Sequence, residues 1–345
     1  MTEGPWGSGP TQFFYSLTPD VIDQVLRDHG LRPAGRVLAL NSLENRVYDV
    51  ETARYTPPPG PFADDAVVVK FYRPGRWSGD TIREEHRFLR EMGEYELPVV
   101  VPLERDGETL FTDATTGLWY TVFPKVRGRL KDELNREEAR LIGRLIARMH
   151  NIGGMGTFVH RPHLMPATWL EGSALSVEAL TFVDDDLKQS LRYLLKQLEQ
   201  MITPWWQHLP AQRVHGDFHR GNVLWTKEGP YVTDLDDCVT APRQQDLWLL
   251  FPGRDEWSLA MRGEFLEGYH EMARGPVALP FAVVEGLRAM RMAHFNGWIA
   301  KRWNDPVFPH MFQAFSTRNY WEQQVLDVKE QIGHLTEAGT GFGDY

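Results

Sequence analysis

Apolar positions along this chain recur with two different periods, and the changes of period mark the elements. Val37 to Leu40, Arg46 to Val50 and Ala66 to Tyr72 are short apolar runs separated by polar or Pro-rich connections, which predicts strands bounded by turns. On either side of them the spacing becomes helical. Thr18-Pro19-Asp20 caps a short amphipathic helix ending at Gly30; Ser78 or Asp80 starts another, with Ile82, Leu89 and Met92 on one face and Gly93 as its stop. From Arg136 to His150 the positions of Ala139, Ile142, Leu145 and Met149 are again helical, and so is most of the chain beyond His150. The exception is a short hairpin whose strands are Val223-Leu224-Trp225 and Tyr231-Val232-Thr233. The chain is therefore expected to be α+β and bilobal. Residues 15–123 form a small, mainly antiparallel β lobe with one key helix, 124–128 a Pro- and Gly-marked hinge, and 129–335 a larger, mainly α lobe. The Pro run at 57–61 and the tail from Thr336 to Tyr345 are expected to be mobile.

Chemistry is concentrated around the hairpin. Val214-His215-Gly216-Asp217-Phe218-His219-Arg220-Gly221-Asn222 leads into its first strand, and Asp234 follows its second. Kinases use such a set: one Asp receives the hydroxyl proton of the acceptor, while an Asn and a second Asp hold the metal that bridges the nucleotide phosphates. Any one of these residues alone is more often a turn residue, because Asp and Asn side chains bond nearby backbone; their joint spacing around one hairpin carries the inference. Asp217 and Asp234 are thus the candidate catalytic residues, and Asn222 and Asp234 the candidate Mg²⁺ ligands. His215 and His219 permit a rival, a metallohydrolase in which His-x-Asp-x-His clasps a transition metal. Mg²⁺ prefers the oxygen ligands that Asn222 and Asp234 supply. His215 is then a loop brace, and His219 a local structural or phosphate-side contact.

A kinase also needs positive charge on the nucleotide phosphates. Lys70 ends a Val run, where desolvating an ammonium is costly without a partner. Kinases place such a Lys on the α and β phosphates, oriented by a Glu of the next helix. Glu85 is assigned that part, with Glu84 as the alternative. No Gly-rich or Walker loop occurs in the N-terminal half; Asn41-Ser42-Leu43-Glu44-Asn45 instead offers backbone N–H groups and the Ser42 hydroxyl to a phosphate. Asp246 is expected to open the next helix and to anchor the catalytic loop. Residues 235–245 leave no room for a long phosphorylatable activation segment, so control by phosphorylation there is not expected.

Several of these segments resemble a known family. Asn41 to Tyr48, Val69 to Pro74, His215 to Trp225, Asp234-Leu235-Asp236-Asp237, Gln245 to Trp248 and Leu287 to Arg291 are similar to signatures of the stress response kinase A group within the aminoglycoside phosphotransferase-like kinases. The likeness runs over most of residues 15 to 325. It implies a cytoplasmic bacterial Ser/Thr protein kinase linked to envelope and oxidative stress, using ATP and Mg²⁺. Carried onto this chain, the catalytic base falls on Asp217, the metal ligands on Asn222 and Asp234, and a nucleotide-contact serine on Ser42. Leu43, where that loop is associated with an aromatic residue, and the long connection Thr56 to Pro61 depart from the pattern. A small-molecule kinase of the aminoglycoside, choline or homoserine phosphotransferase type is the alternative.

Composition narrows the picture further. A chain of 345 residues with 42% apolar content can bury two joined cores. One cysteine, Cys238, permits no internal disulfide and fits a reducing compartment; it is read as a packing residue. The N-terminus lacks the basic start and apolar run of a secretory leader, and no apolar stretch is long enough to span a bilayer, so a cytoplasmic location without membrane insertion is expected. A net charge of −10 argues against a nucleic-acid partner. The expected partner is a protein bearing a Ser/Thr acceptor, or a small hydroxylated molecule, met by a monomer. Arg288, Arg291, Lys301 and Arg302 are read as a solvated helix face, with recognition of an acidic acceptor as the other possibility.

Overall fold

Thr18 caps α1 (Pro19–Asp28) by accepting the Val21 N–H, and Gly30, at φ +69°, releases the chain from it; the computed structural model describes residues 11–338. Strands β1 (Pro33–Leu40), β2 (Arg46–Thr52) and β3 (Phe62–Phe71) follow, then α2 (Gly79–Glu94), β4 (Phe111–Thr112) and β5 (Trp119–Val126). The strands form one antiparallel sheet in the order β1-β2-β3-β5-β4. Side chains alternate between the two faces of a strand. Val67, Val69 and Phe71 of β3 therefore share one core with Val21, Ile22, Val25 and Leu26 of α1, and Lys70, of opposite parity, faces the other way, between Val47 of β2 and Thr121 of β5 in the register.

Two expectations shift here. Ser78, not Asp80, caps α2, its side chain accepting the Thr81 N–H at 3.1 Å, and the helix runs one residue past Gly93. The segment expected to turn at Pro124 continues β5 to Val126, with Pro124 opposite Val67. A Pro is tolerated in a strand whose far side lacks a partner, and β4 pairs with β5 only at Trp119 and Tyr120.

Beyond the sheet the chain is mainly helical. Asn135 and Glu138 form a capping box that starts α3 (Arg136–Gly153), followed by α4 (Pro166–Glu178) and α5 (Asp185–Trp206). Four short strands come next: β6 (Ala211–Val214), β7 (Val223–Trp225), β8 (Pro230–Val232) and β9 (Val239–Pro242), paired β6 with β9 and β7 with β8. The predicted hairpin is β7–β8. The helices α6 (Glu256–Met272), α7 (Phe281–Lys301), α8 (Val307–Met311) and α9 (Arg318–Glu337) complete the chain. A Cβ on Gly143 of α3 would lie 2.1 Å from the Phe265 carbonyl oxygen of α6, so glycine is what lets these two backbones touch. No α-helix opens at Asp246. It ends a 3-10 turn (Arg243–Asp246), and Asp255 caps α6 instead. Thr336 lies within α9, and the tail beyond residue 338 falls outside the described residues. Among the described residues no helix is long and apolar enough to cross a membrane.

Candidate active site

The loop between β6 and β7 is held from below. The fully buried Asp246 accepts the backbone N–H of His215 at 2.7 Å and of Gly216 at 2.9 Å, and lies 3.1 Å from His150 Nε2. Gln245 Nε2 donates to the Gly216 carbonyl at 2.6 Å. Gly216 has φ +87°, and a Cβ there would come within 2.2 Å of the Asp237 carbonyl oxygen, so only glycine lets the loop pass. The buried ring of His215 is used on both sides: Nε2 donates to Thr233 O at 3.0 Å and Nδ1 accepts the Asp217 N–H at 3.4 Å. With both nitrogens committed, His215 braces the loop against the end of β8, and the rival metal clasp loses one of its two imidazoles.

On this platform the expected residues come together. Asn222 donates its side-chain N–H to Asp217 O at 2.9 Å, which leaves the amide carbonyl oxygen for another partner; its own backbone oxygen accepts the Thr233 N–H at 3.0 Å. Asp234 follows in the left-handed region at φ +56°, unusual for a residue other than glycine, with its carboxylate 59% exposed. Lys70 arrives from the sheet, its Nζ 3.5 Å from Asp234 Oδ1. A carboxylate and an amide carbonyl on one hairpin make an oxygen donor set suited to a hard divalent cation.

The partner of Lys70 is not the one expected. Its ammonium bonds Asp236 Oδ1 at 3.0 Å, and no ion pair within 4.0 Å joins it to Glu85. Burial opposes its charge most strongly, but Asp236, Glu85 and Asp234 together outweigh that and hold the ammonium well above its usual range. Asp236 also receives Arg76 and, at 3.2 Å, Asn45 Nδ2. Glu85 is buried close by with one carboxyl oxygen unpartnered, and burial pushes its carboxyl from 4.5 up to about 7 despite the nearby Lys70. A carboxyl that binds its proton more tightly folded than unfolded favours the fold below about pH 4.5, and that contribution fades as pH rises through about 7. The Tm of Glu85→Gln, which cannot ionise, is therefore expected to rise relative to the parent between pH 5 and pH 8; an unchanged difference would count against this.

Glu84 does something the sequence did not suggest. Its carboxylate accepts the backbone N–H groups of Val159, His160 and Arg161 at 2.6, 2.7 and 2.8 Å, tying α2 to the helical part. Arg161 in turn donates to the carbonyls of Leu235, Asp236 and Cys238, holding the turn after Asp234. Cys238 is buried there and its thiol is pushed up to about 12, so it packs rather than reacts.

The β1–β2 loop leans on the helical part as well. Ser42 Oγ accepts the Asn45 N–H at 3.3 Å, Leu43 packs against the helical core, and Glu44 reaches α7, where it takes Trp298 Nε1 and, at 2.5 Å, Arg302. Of the basic residues expected on a solvated face, Arg288, Arg291 and the α7 C-cap Arg302 meet carboxylates instead, while Lys301 is exposed. Arg302 is buried on Glu44, Arg288 lies 3.2 Å from the buried Glu285, and Arg291 Nη1 bonds Asp217 Oδ1 at 2.7 Å. Asp217 Oδ2 is 3.4 Å from His219 Nε2. Burial works against ionising Asp217, but His219 and Arg291 outweigh it and hold the carboxyl well below the usual range.

Between Asp234 and Asp246 the chain forms β9, and Thr240 is the one hydroxyl residue there. Its N–H donates to Pro162 O at 3.0 Å and its carbonyl accepts the Leu164 N–H at 2.9 Å. Thr240→Val is therefore expected to keep activity within about two-fold, since Val suits a strand. Loss of activity together with a phosphate mapped to Thr240 in the parent would show the opposite.

The chain matches the phosphotransferase enzyme family over residues 36–281. Stress response kinase A of Escherichia coli (strain K12) is 35% identical over 328 residues, covering 94% of this chain and 95% of its own. Serine/threonine protein kinase RdoA of Salmonella typhimurium is 34% identical with the same coverage. Among solved structures, a microcompartment-associated aminopropanol kinase superposes with a TM-score of 0.65 at 16% identity, over 93% of this chain and 99% of its own. An amicoumacin kinase in complex with AMP-PNP and Ca²⁺ gives 0.63 at 20%, over 85% and 92%. At such identities the structural likeness speaks for the fold.

Proposed function

Since the chain belongs to the phosphotransferase enzyme family, in the group of the stress response kinase A proteins, we propose that it transfers the γ-phosphate of ATP to a Ser or Thr hydroxyl of a protein, with Mg²⁺, in a reducing cytoplasm. The observation that carries this is the 3.5 Å approach of Lys70 to Asp234, which brings sheet and hairpin to one place, with Asp217 and Asn222 joined by a hydrogen bond on the same loop.

Each side chain then has a task that its surroundings allow. Asp217, kept ionised, accepts the hydrogen of the acceptor hydroxyl and aims its oxygen at phosphorus. Lys70, released in part from Asp236, neutralises the α and β phosphates. Asn222 through its carbonyl oxygen and Asp234 through its carboxylate would hold the divalent ion, which supplies charge neutralisation on the phosphate oxygens. Ser42 and the N–H groups of its loop would meet the phosphates. Residues 15–123 would act as the nucleotide lobe and 129–335 as the acceptor lobe. The name of the Salmonella relative, a serine/threonine protein kinase, favours a protein acceptor, and the cationic α7 suits a polycationic antibiotic poorly.

Purified protein incubated with labelled ATP and Mg²⁺, alone, with lysate proteins and with a panel of small alcohols, tests the assignment. Label on Ser or Thr is the expected result. Rapid labelling of a small alcohol with none on protein would replace this reading by a small-molecule kinase.

A further inference from the structure

One wall of the site does more than hold Asp217 ionised. Arg291, His294 and Trp298 of α7 and its C-cap residue Arg302 recur at the three- and four-residue spacing that aligns side chains along one helical stripe. The stripe begins at Asp217, bonded by Arg291, and passes His294, which stacks on Trp169 of α4 with ring centroids 4.2 Å apart. It ends at Glu44 of the β1–β2 loop, which Trp298 and Arg302 contact. An acceptor hydroxyl approaching Asp217 thus comes in beside Arg291.

The open cationic edge along this wall is that of Arg291. Arg302 is taken by Glu44, and Arg76 behind it by Asp236 and Asp237. Arg291 uses Nη1 on Asp217, while its Nε and Nη2 have no hydrogen-bond partner among the described residues and its side chain is 41% exposed. Burial first, and then the positive charges of Lys301, Arg291, Arg302 and Arg76, push the His294 imidazole down to about 4. All this lies in a chain whose net charge is −10, so the wall is a local device rather than a general property of the surface.

A planar guanidinium with an open N–H edge is a fork for a carboxylate. Resting on the protein-acceptor reading above, we propose that Arg291 is a specificity-determining residue that selects Ser or Thr in acidic segments. A Glu or Asp next to the acceptor would take the open edge of Arg291, while Asp217 Oδ2, approached by His219 only to 3.4 Å, takes the hydroxyl.

The test uses two peptides identical except that Glu or Lys flanks a single Ser, assayed with ATP and Mg²⁺ on the full chain and on Arg291→Glu and Arg291→Lys. The parent is expected to prefer the Glu peptide by about 10-fold or more in kcat/KM, chiefly through KM, the size of one charge-assisted contact. Arg291→Glu should abolish or invert the preference, and Arg291→Lys should lower it several-fold, because an ammonium keeps the charge but not the fork. A ratio measured on one protein does not depend on how much of it is folded, and the Lys variant decides alone if the Glu variant has no turnover. Equal use of both peptides by the parent, or an unchanged ratio in the variants, overturns this inference and leaves the kinase assignment standing. Transfer to neither peptide with rapid transfer to a small amino alcohol overturns the protein-acceptor reading itself, and this inference with it.

Discussion

Asp217→Ala is expected to lower kcat by about 10² to 10⁴, the range typical of a positioned general base, while nucleotide affinity stays within about two-fold. The separation follows from where the carboxylate is. Asp217 contacts Arg291 and His219, on the acceptor side, and its link to the candidate metal ligands runs through its backbone oxygen, which the substitution keeps. Asp234→Ala should behave differently. It removes an exposed carboxylate beside Lys70, so the metal-dependent part of nucleotide binding should be lost along with turnover. Steady-state kinetics paired with nucleotide titrations, with and without Mg²⁺, distinguish the two patterns. Unimpaired turnover in Asp217→Ala would remove Asp217 from the role of base.

The second large effect should appear in stability. Asp246→Ala takes away the acceptor of the His215 and Gly216 N–H groups and the partner of His150, all in a fully buried setting. Orphaned buried donors cost about 1–3 kcal/mol each, and removing one side of a buried polar cluster costs about 3–5 kcal/mol. A fall in Tm on the order of 10 °C is expected, with activity impaired even well below the new Tm because the loop carrying Asp217 loses its floor. Asp246→Asn, which retains one acceptor oxygen, should fall between. If Asp246→Ala melts with the parent, the loop is supported by something other than Asp246.

Legibility in the sequence depended on the range over which each interaction acts. The strands, the capped helices and the β7–β8 hairpin depend on local period and capping, and they appear close to where the sequence put them. Asp217, Asn222 and Asp234 are spaced by one hairpin, so their grouping was legible for the same reason. Three assignments needed contacts across the chain. The buried carboxylate for Lys70 is Asp236 rather than Glu85, because the left-handed turn at Asp234 brings the chain back under the ammonium, and no periodicity in α2 encodes that. Glu84 and Glu85 are neighbours in sequence with unrelated surroundings, one capping backbone N–H groups and the other left without an ion pair. Arg291 and Arg302 looked like a solvated face since charge on a helix usually is one; only the packing of α7 against the catalytic loop and the β1–β2 loop gives them partly buried carboxylates to meet.

The order of apolar and polar residues, with its capping and turn residues, determined the elements and the identity of the residues that meet at the hairpin, because those depend on neighbours a few positions apart. The tertiary structure alone decided which charges pair, since an ion pair in a desolvated site is chosen by distance in space among several candidates that the sequence leaves equivalent. For this protein that choice set Asp236 on Lys70, Glu44 on Arg302 and Arg291 on Asp217.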